Sequence, residues 1–239
     1  MHARPTALVE DFLRKADHAL PPGYSAVVYG SAARADWLEG TSDINLLVIA
    51  TPLGSAELRA VGPLLRDLPD DWRSPPLFLT PEEWGRAADV FAIELADMLC
   101  ARVVLRGPDP LEAAQPHPTQ LRVALERELR TRIVRLRQAY AASADDPAEL
   151  GRHLQRSLAA VQTMARAGLM LVGRPVPTDG VQLLRAFAEV TGAPIAPLVE
   201  SASRWRDPDW NCPASLFEAF LHSLDVAVGY IDQHVPGVR

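Results

Sequence analysis

Cysteine is nearly missing from this chain: of 239 residues, only Cys100 and Cys212 carry thiols. They lie far apart, with no CxxC spacing and no histidine-rich companion. That argues against a disulfide framework and a zinc site and fits a reducing, cytoplasmic setting. Long hydrophobic runs are lacking too. No stretch approaches the roughly 18 apolar residues of a membrane span, and Met1 to Pro5 lack the basic-then-apolar layout of a signal peptide, so no membrane partner is expected. Positive charge is in deficit, 24 basic against 30 acidic residues for a formal net charge of -6. This balance repels a polyphosphate backbone unless arginines cluster locally, so a nucleic-acid partner is disfavoured. Lysine is all but absent beside arginine, which reads as codon bias rather than function.

What is present is ordinary globular material. With 48% hydrophobic and 23% charged residues, the chain can build two modest domains, each with its own core. The stretch from Gly107 to Pro118, with four prolines and little periodicity, reads as the linker. It separates an α/β (α+β) domain with a mixed sheet, residues 1–110, from an all-α helical domain, residues 118–239.

In the first part, Leu8, Phe12, Leu13, Ala16 and Leu20 share one helical stripe, with Thr6 as N-cap and Pro21-Pro22-Gly23 as the stop. Tyr24 to Tyr29 reads as a strand broken by Gly30-Ser31, and Ala32 to Leu38 as a short helical segment. Asp43 to Ala50 is a second strand, Ser55 to Leu68 a helix and Leu77 to Thr80 a third strand. Pro81-Glu82-Glu83 has the makings of a first helical turn. Val90 to Met98 is ambiguous between strand and helix, and Val103 to Leu105 is a candidate closing strand. Alternation of strand and helix indicates α/β organisation. Beyond the linker every periodic segment is helical. The first carries the stripe Leu121, Leu125, Leu129, Ile133, Leu136 and Tyr140, and the next three end at Gly173, at Gly192 and before Pro236.

The segment with chemical content is Val27-Val28-Tyr29-Gly30-Ser31-Ala32-Ala33-Arg34, followed by Ser42-Asp43-Ile44-Asn45-Leu46-Leu47-Val48. A Gly-Ser at the end of a strand, opening a helix, offers backbone N–H groups and a hydroxyl to a phosphate. One strand later, residues 43 and 45 alternate across the pleat and point to one face. Two oxygen ligands there can share divalent metal ions that bridge the same triphosphate.

On these residues the chain resembles the polymerase-β-like nucleotidyltransferase superfamily, whose signature is Gly-Ser at a helix N-terminus and then Ser-Asp-x-Asp-hydrophobic on the next strand. The resemblance covers about the first 105 residues. It implies that Gly30 and Ser31 hold the β- and γ-phosphates of an NTP, ATP first. Asp43 would be a magnesium ligand, Arg34 would lie near the phosphates, and Ser42 would join the nucleotide-binding residues. A small-molecule acceptor would present a hydroxyl. The helical half is similar, more loosely, to the C-terminal domain of aminoglycoside adenylyltransferases. There Gly173-Arg174-Pro175 matches a Gly-cation-Pro turn, which implies a phosphate contact for Arg174.

Two departures stand against activity. Asn45 occupies the place of the family's second metal-binding Asp, keeping a neutral carbonyl oxygen and losing a charge. The third family carboxylate, the general base, belongs on the strand Pro76-Leu77-Phe78-Leu79-Thr80, which has no acid. Glu82 and Glu83 lie past its end, where they complement a helix dipole, and Glu94 is a more distant substitute base. Two readings follow: magnesium-dependent nucleotidyl transfer with Asp43, Asn45 and Glu94 as the catalytic set, or a catalytically silent descendant that binds a nucleotide or a protein. Elsewhere the plain readings suffice. Arg122 to Arg137 alternate with Glu126 and Glu128 as a salt-bridged solvent face. Trp205 and Trp210 either line a cleft or cover a loop.

Overall fold

The structure is a computed structural model, and it describes residues 3–34, 37, 42–72, 74–87, 90–112 and 114–236. The chain divides into two compact units, Met1–Pro116 and His117–Arg239.

The first unit is built on a four-stranded sheet of β1 (Ser25–Tyr29), β2 (Asn45–Ile49), β3 (Leu77–Leu79) and β4 (Arg102–Arg106), in the spatial order β3-β2-β1-β4. β1 pairs antiparallel with both β2 and β4, whereas β2 and β3 run parallel. The sheet is therefore mixed. Alternation along β1 and β2 sorts their side chains into two cores. Ala26, Val28, Ile44, Leu46 and Val48 join Val9, Phe12 and Leu13 of α1 (Ala3–Ala16) and Val61 of α2 (Ser55–Arg66). Val27, Leu47 and Ile49 face the other way, toward Leu95 and Met98 of α4 (Ala92–Cys100). A strand covered on both faces must be apolar at every position, which is why Val27-Val28 and Leu46-Leu47-Val48-Ile49 read as continuous runs.

Local details differ from the expectations. α1 starts at Ala3, so Thr6 is an interior residue rather than a cap, and Pro5 sits in the first turn, where its missing N–H is not needed. β2 begins at Asn45, leaving Asp43 two residues ahead of the ladder. Of the segment Val90 to Met98, Ala92 onward belongs to α4, with Val90 and Phe91 ahead of it, and β4 extends to Arg102–Arg106. Arginines bound the β4 edge, Arg102 pairing with Asp109 and Arg106 with Glu10 and Asp17, as suits a strand edge that should not recruit another chain. Glu83 caps α3 (Pro81–Ala87): its carboxylate accepts from the Thr80 N–H at 2.8 Å, and Thr80 Oγ1 accepts in return from the Glu83 N–H.

The second unit is helical: α5 (Pro118–Ser143), α6 (Pro147–Leu171), α7 (Gly180–Thr191), α8 (Ile195–Arg204) and α9 (Ala214–Gln233). Of the expected stripe α5 buries Leu121, Leu125, Leu129, Ile133 and Leu136, whereas Tyr140 is only half-buried. Its outer face is laced by Arg122 and Arg130 to Glu126 and by Arg137 to Asp225. Asp146 and Asp179 accept from the N–H groups of Glu149 and Gln182 and cap α6 and α7. Between α8 and α9 the chain lies so close to α6 that Gly151 faces the Trp210 carbonyl, which assigns Trp210 to covering the core. α9 has the length and apolarity of a membrane-crossing helix, but it buries Phe217, Phe220, Leu224 and Ile231 among its neighbours.

Candidate active site

The Gly-Ser turn follows β1 directly. Gly30 adopts φ +71°, a left-handed conformation that favours glycine, and opens a single 3-10 turn, Gly30–Ala32. The N–H groups of Ala33 and Arg34 both donate to the Gly30 carbonyl at 3.1 Å. The described part is one turn rather than a helix reaching Leu38, because residues 35, 36 and 38 lie outside the described residues. Tyr29 and Asn45 are cross-strand partners, which brings the phosphate-loop candidate and the Asp-x-Asn candidate side by side. The burial of Ile44 in the core of α1 and α2 sends Asn45 to the α4 face, as the alternation requires, and Asp43 lies near enough to act on the Tyr29 hydroxyl. Both are half-buried.

A carboxylate that sequence reasoning did not single out stands at this point. A Cβ placed on Gly30 would lie 3.0 Å from Asn45 Nδ2 and 3.7 Å from Asp97 Oδ2, so the amide and the acid converge on the turn. Asp97 lies one helical turn beyond Glu94 on α4. Its Oδ1 accepts from Arg34 Nη1 at 3.1 Å, and the two side chains are only 12% and 9% exposed. Arg34 is thus drawn inward to α4. Glu94 is exposed and lines a cavity with Tyr29, Leu77 and Trp84. Burial, then the carboxylates of Asp97, Glu94 and Asp43, push the Tyr29 hydroxyl up to about 12, a sign that negative charge gathers on this side of the sheet.

Strand β3 carries no replacement base. Leu77 pairs with Leu47, and continuing that parallel register two residues back puts Pro75 across from Asn45. Ser31 and Ser42 are half-buried near the turn and the start of β2. Arg174 belongs to the helical unit, on the exposed turn that ends α6. Its N–H closes that helix on the Leu169 carbonyl at 2.8 Å, beside Gly173 at φ +66°. Among the described residues, no three His, Cys, Asp or Glu side chains gather as a metal-holding group. The set Asp43, Asn45 and Asp97 still consists of hard oxygen donors, and magnesium is commonly held by one or two carboxylates plus substrate phosphates. By donor chemistry the residues fit.

Asp97 escaped detection because 90–98 was ambiguous between strand and helix. The available signal was an acid in the otherwise apolar run Leu95-Ala96-Asp97-Met98-Leu99; once the segment is a helix, Asp97 shares the buried side with Ile93 and Ala96.

A mixed sheet with helices on both faces, followed by a helical unit, is the nucleotidyltransferase-type α+β architecture. Among solved structures the chain is similar to spectinomycin adenyltransferase AAD(9) from Enterococcus faecialis, crystallised with ATP and spectinomycin. The TM-score is 0.55 at 15% sequence identity, over 98% of this chain and 100% of that one. At that identity the likeness establishes the fold. No protein-family model and no curated protein matches the sequence.

Proposed function

We propose that the protein transfers a nucleoside monophosphate from magnesium-bound ATP or another NTP to a hydroxyl of a small-molecule acceptor, in a reducing cytoplasmic setting. The observation that carries this reading is the convergence of Asp97 and Asn45 on the Gly30 turn. It returns to the site the negative charge that Asn45 lacks. Gly30 and Ser31 hold the terminal phosphates. Asp43, the Asn45 amide oxygen and Asp97 would hold magnesium, which would supply positive charge against the triphosphate. The acceptor oxygen forms a bond to the α-phosphorus, the bond to the bridging oxygen breaks, pyrophosphate leaves, and the hydroxyl proton passes to solvent or to Glu94. Positioning and charge neutralisation supply most of the rate. Arg34, released from Asp97, turns to the phosphates. The AAD(9) structure, with its ATP and small molecule, supports these partner classes.

A second reading, a silent nucleotide-binding or protein-binding descendant, is favoured by the Pro75 and Leu77 positions of the third strand. Calorimetric titration of ATP with and without magnesium separates the two. Transfer requires binding that needs magnesium and is lost in Asp43→Ala and weakened in Asp97→Asn. Binding that is unchanged or tighter in Asp97→Asn, where Arg34 is freed for phosphate, supports the silent reading. No binding by the wild-type chain removes both nucleotide readings and leaves protein partners.

A further inference from the structure

The α4 side of the sheet holds a cavity of about 160 Å³, of whose lining the transfer chemistry above draws only on Glu94, as one of two proton acceptors. Its walls are the rings of Tyr29, Trp84 and Phe91 and the aliphatic side chains of Leu77, Leu95 and Met98. An apolar cavity of roughly 150 Å³ is large enough for one benzene ring. The polar atom of Trp84 is already satisfied, its indole N–H donating to the Pro110 carbonyl at 2.8 Å. A polyhydroxylated sugar would find few partners on such walls, and each buried hydroxyl left unpaired is unfavourable.

The cavity has one charged lining residue, Glu94. Among the described residues its carboxylate makes no hydrogen bond or ion pair, and it is exposed. A free carboxylate beside aromatic rings is the combination that recognises an ammonium group: the ring faces attract the cation, and the carboxylate forms a charge-assisted hydrogen bond with it.

We propose that this cavity binds a small monocyclic arylalkyl amine, its ring between Tyr29, Trp84 and Leu95 and its protonated nitrogen at Glu94. The site stands whether or not a triphosphate binds at Gly30, since no part of it draws on the phosphate turn.

The experiment titrates 2-phenylethylamine, 2-phenylethanol and 3-phenylpropanoate separately into the full chain, by calorimetry and by tryptophan fluorescence. The amine should bind saturably, the alcohol about tenfold more weakly for want of the charge-assisted bond, and the carboxylate not at all. Glu94→Gln, at an exposed position, should bring the amine to the alcohol's level and leave the alcohol and the melting temperature unchanged. Ala114→Trp, which fills the cavity from its edge, should abolish binding of both while circular dichroism stays native. Equal affinity for the three ligands, an amine affinity that survives Glu94→Gln or Ala114→Trp, or no saturable binding of the amine would overturn the proposal.

Discussion

Replacing Asp97 by alanine should destabilise the first unit far more than an ordinary ion-pair deletion, and the structure sets the size. At 3.1 Å, Arg34 and Asp97 attract each other by about 5 kcal/mol at an effective dielectric of about 20. Desolvating the two ions costs several kcal/mol each, so the intact pair contributes little net stability. Removing one member is different, because it leaves the other charge buried without this partner, which costs about 3–5 kcal/mol where no other partner remains. Both side chains have further interactions that soften the loss. The expected value for Asp97→Ala is therefore at the lower end, about 3 kcal/mol. Replacing both, Arg34→Met with Asp97→Leu, removes the stranded charge and should recover most of that loss. Hydrogen exchange of the β1 and β2 amides reports the opening free energy of this region directly. The reasoning is refuted if Asp97→Ala costs under about 1 kcal/mol, the range of exposed pairs, or if the double variant is no better than the single one.

Gly30→Ala should lower stability by about 1–2 kcal/mol for the left-handed backbone, with an added displacement of Asn45, whose Nδ2 would lie 3.0 Å from the new methyl. An unchanged melting temperature would show that the turn relaxes freely. Gly151→Ala should also destabilise, although helix propensity alone favours alanine by about 0.8–1 kcal/mol. The new methyl would run into the Trp210 carbonyl, on a segment tied to α6 by the Cys212 N–H and the Pro147 carbonyl at 2.8 Å; a higher melting temperature would contradict this. Burial pushes the Cys212 thiol up to about 11 from its ordinary value of 9.0. Between those two pH values the unfolded state has lost a proton that the folded state keeps, so stability holds below about pH 9 and falls as pH rises toward 11. In the native chain at pH 8, a thiol reagent should therefore label half-buried Cys100 before Cys212, and equal rates would argue against that burial.

Much of the fold was legible from residue pattern because the governing forces are local or periodic. Leu121 to Leu136 repeat at helical spacing, Gly173 and Gly192 end helices where a left-handed residue is needed, and Ile44 to Val48 alternate between two cores. Boundaries slipped where a local signal was misleading. Thr6 resembles a cap yet lies inside α1, and the acids and apolar residues of 90–98 fit either period until packing chose a helix.

Of the candidate site, sequence by itself determined that Gly30-Ser31 follows one strand and that Asp43-x-Asn45 opens the next, and the structure pairs those strands across Tyr29 and Asn45. It also determined that position 45 carries an amide and that the third strand holds no acid. Only the tertiary structure decided that Asp97 reaches the Gly30 turn, that Arg34 is held by it, and that Glu94 lines an apolar cavity instead. The physical reason is distance along the chain. Arg34 and Asp97 are 63 residues apart, and their meeting depends on how α4 docks on the sheet. Long-range docking of that kind is set by the whole core and leaves no periodic mark on either segment.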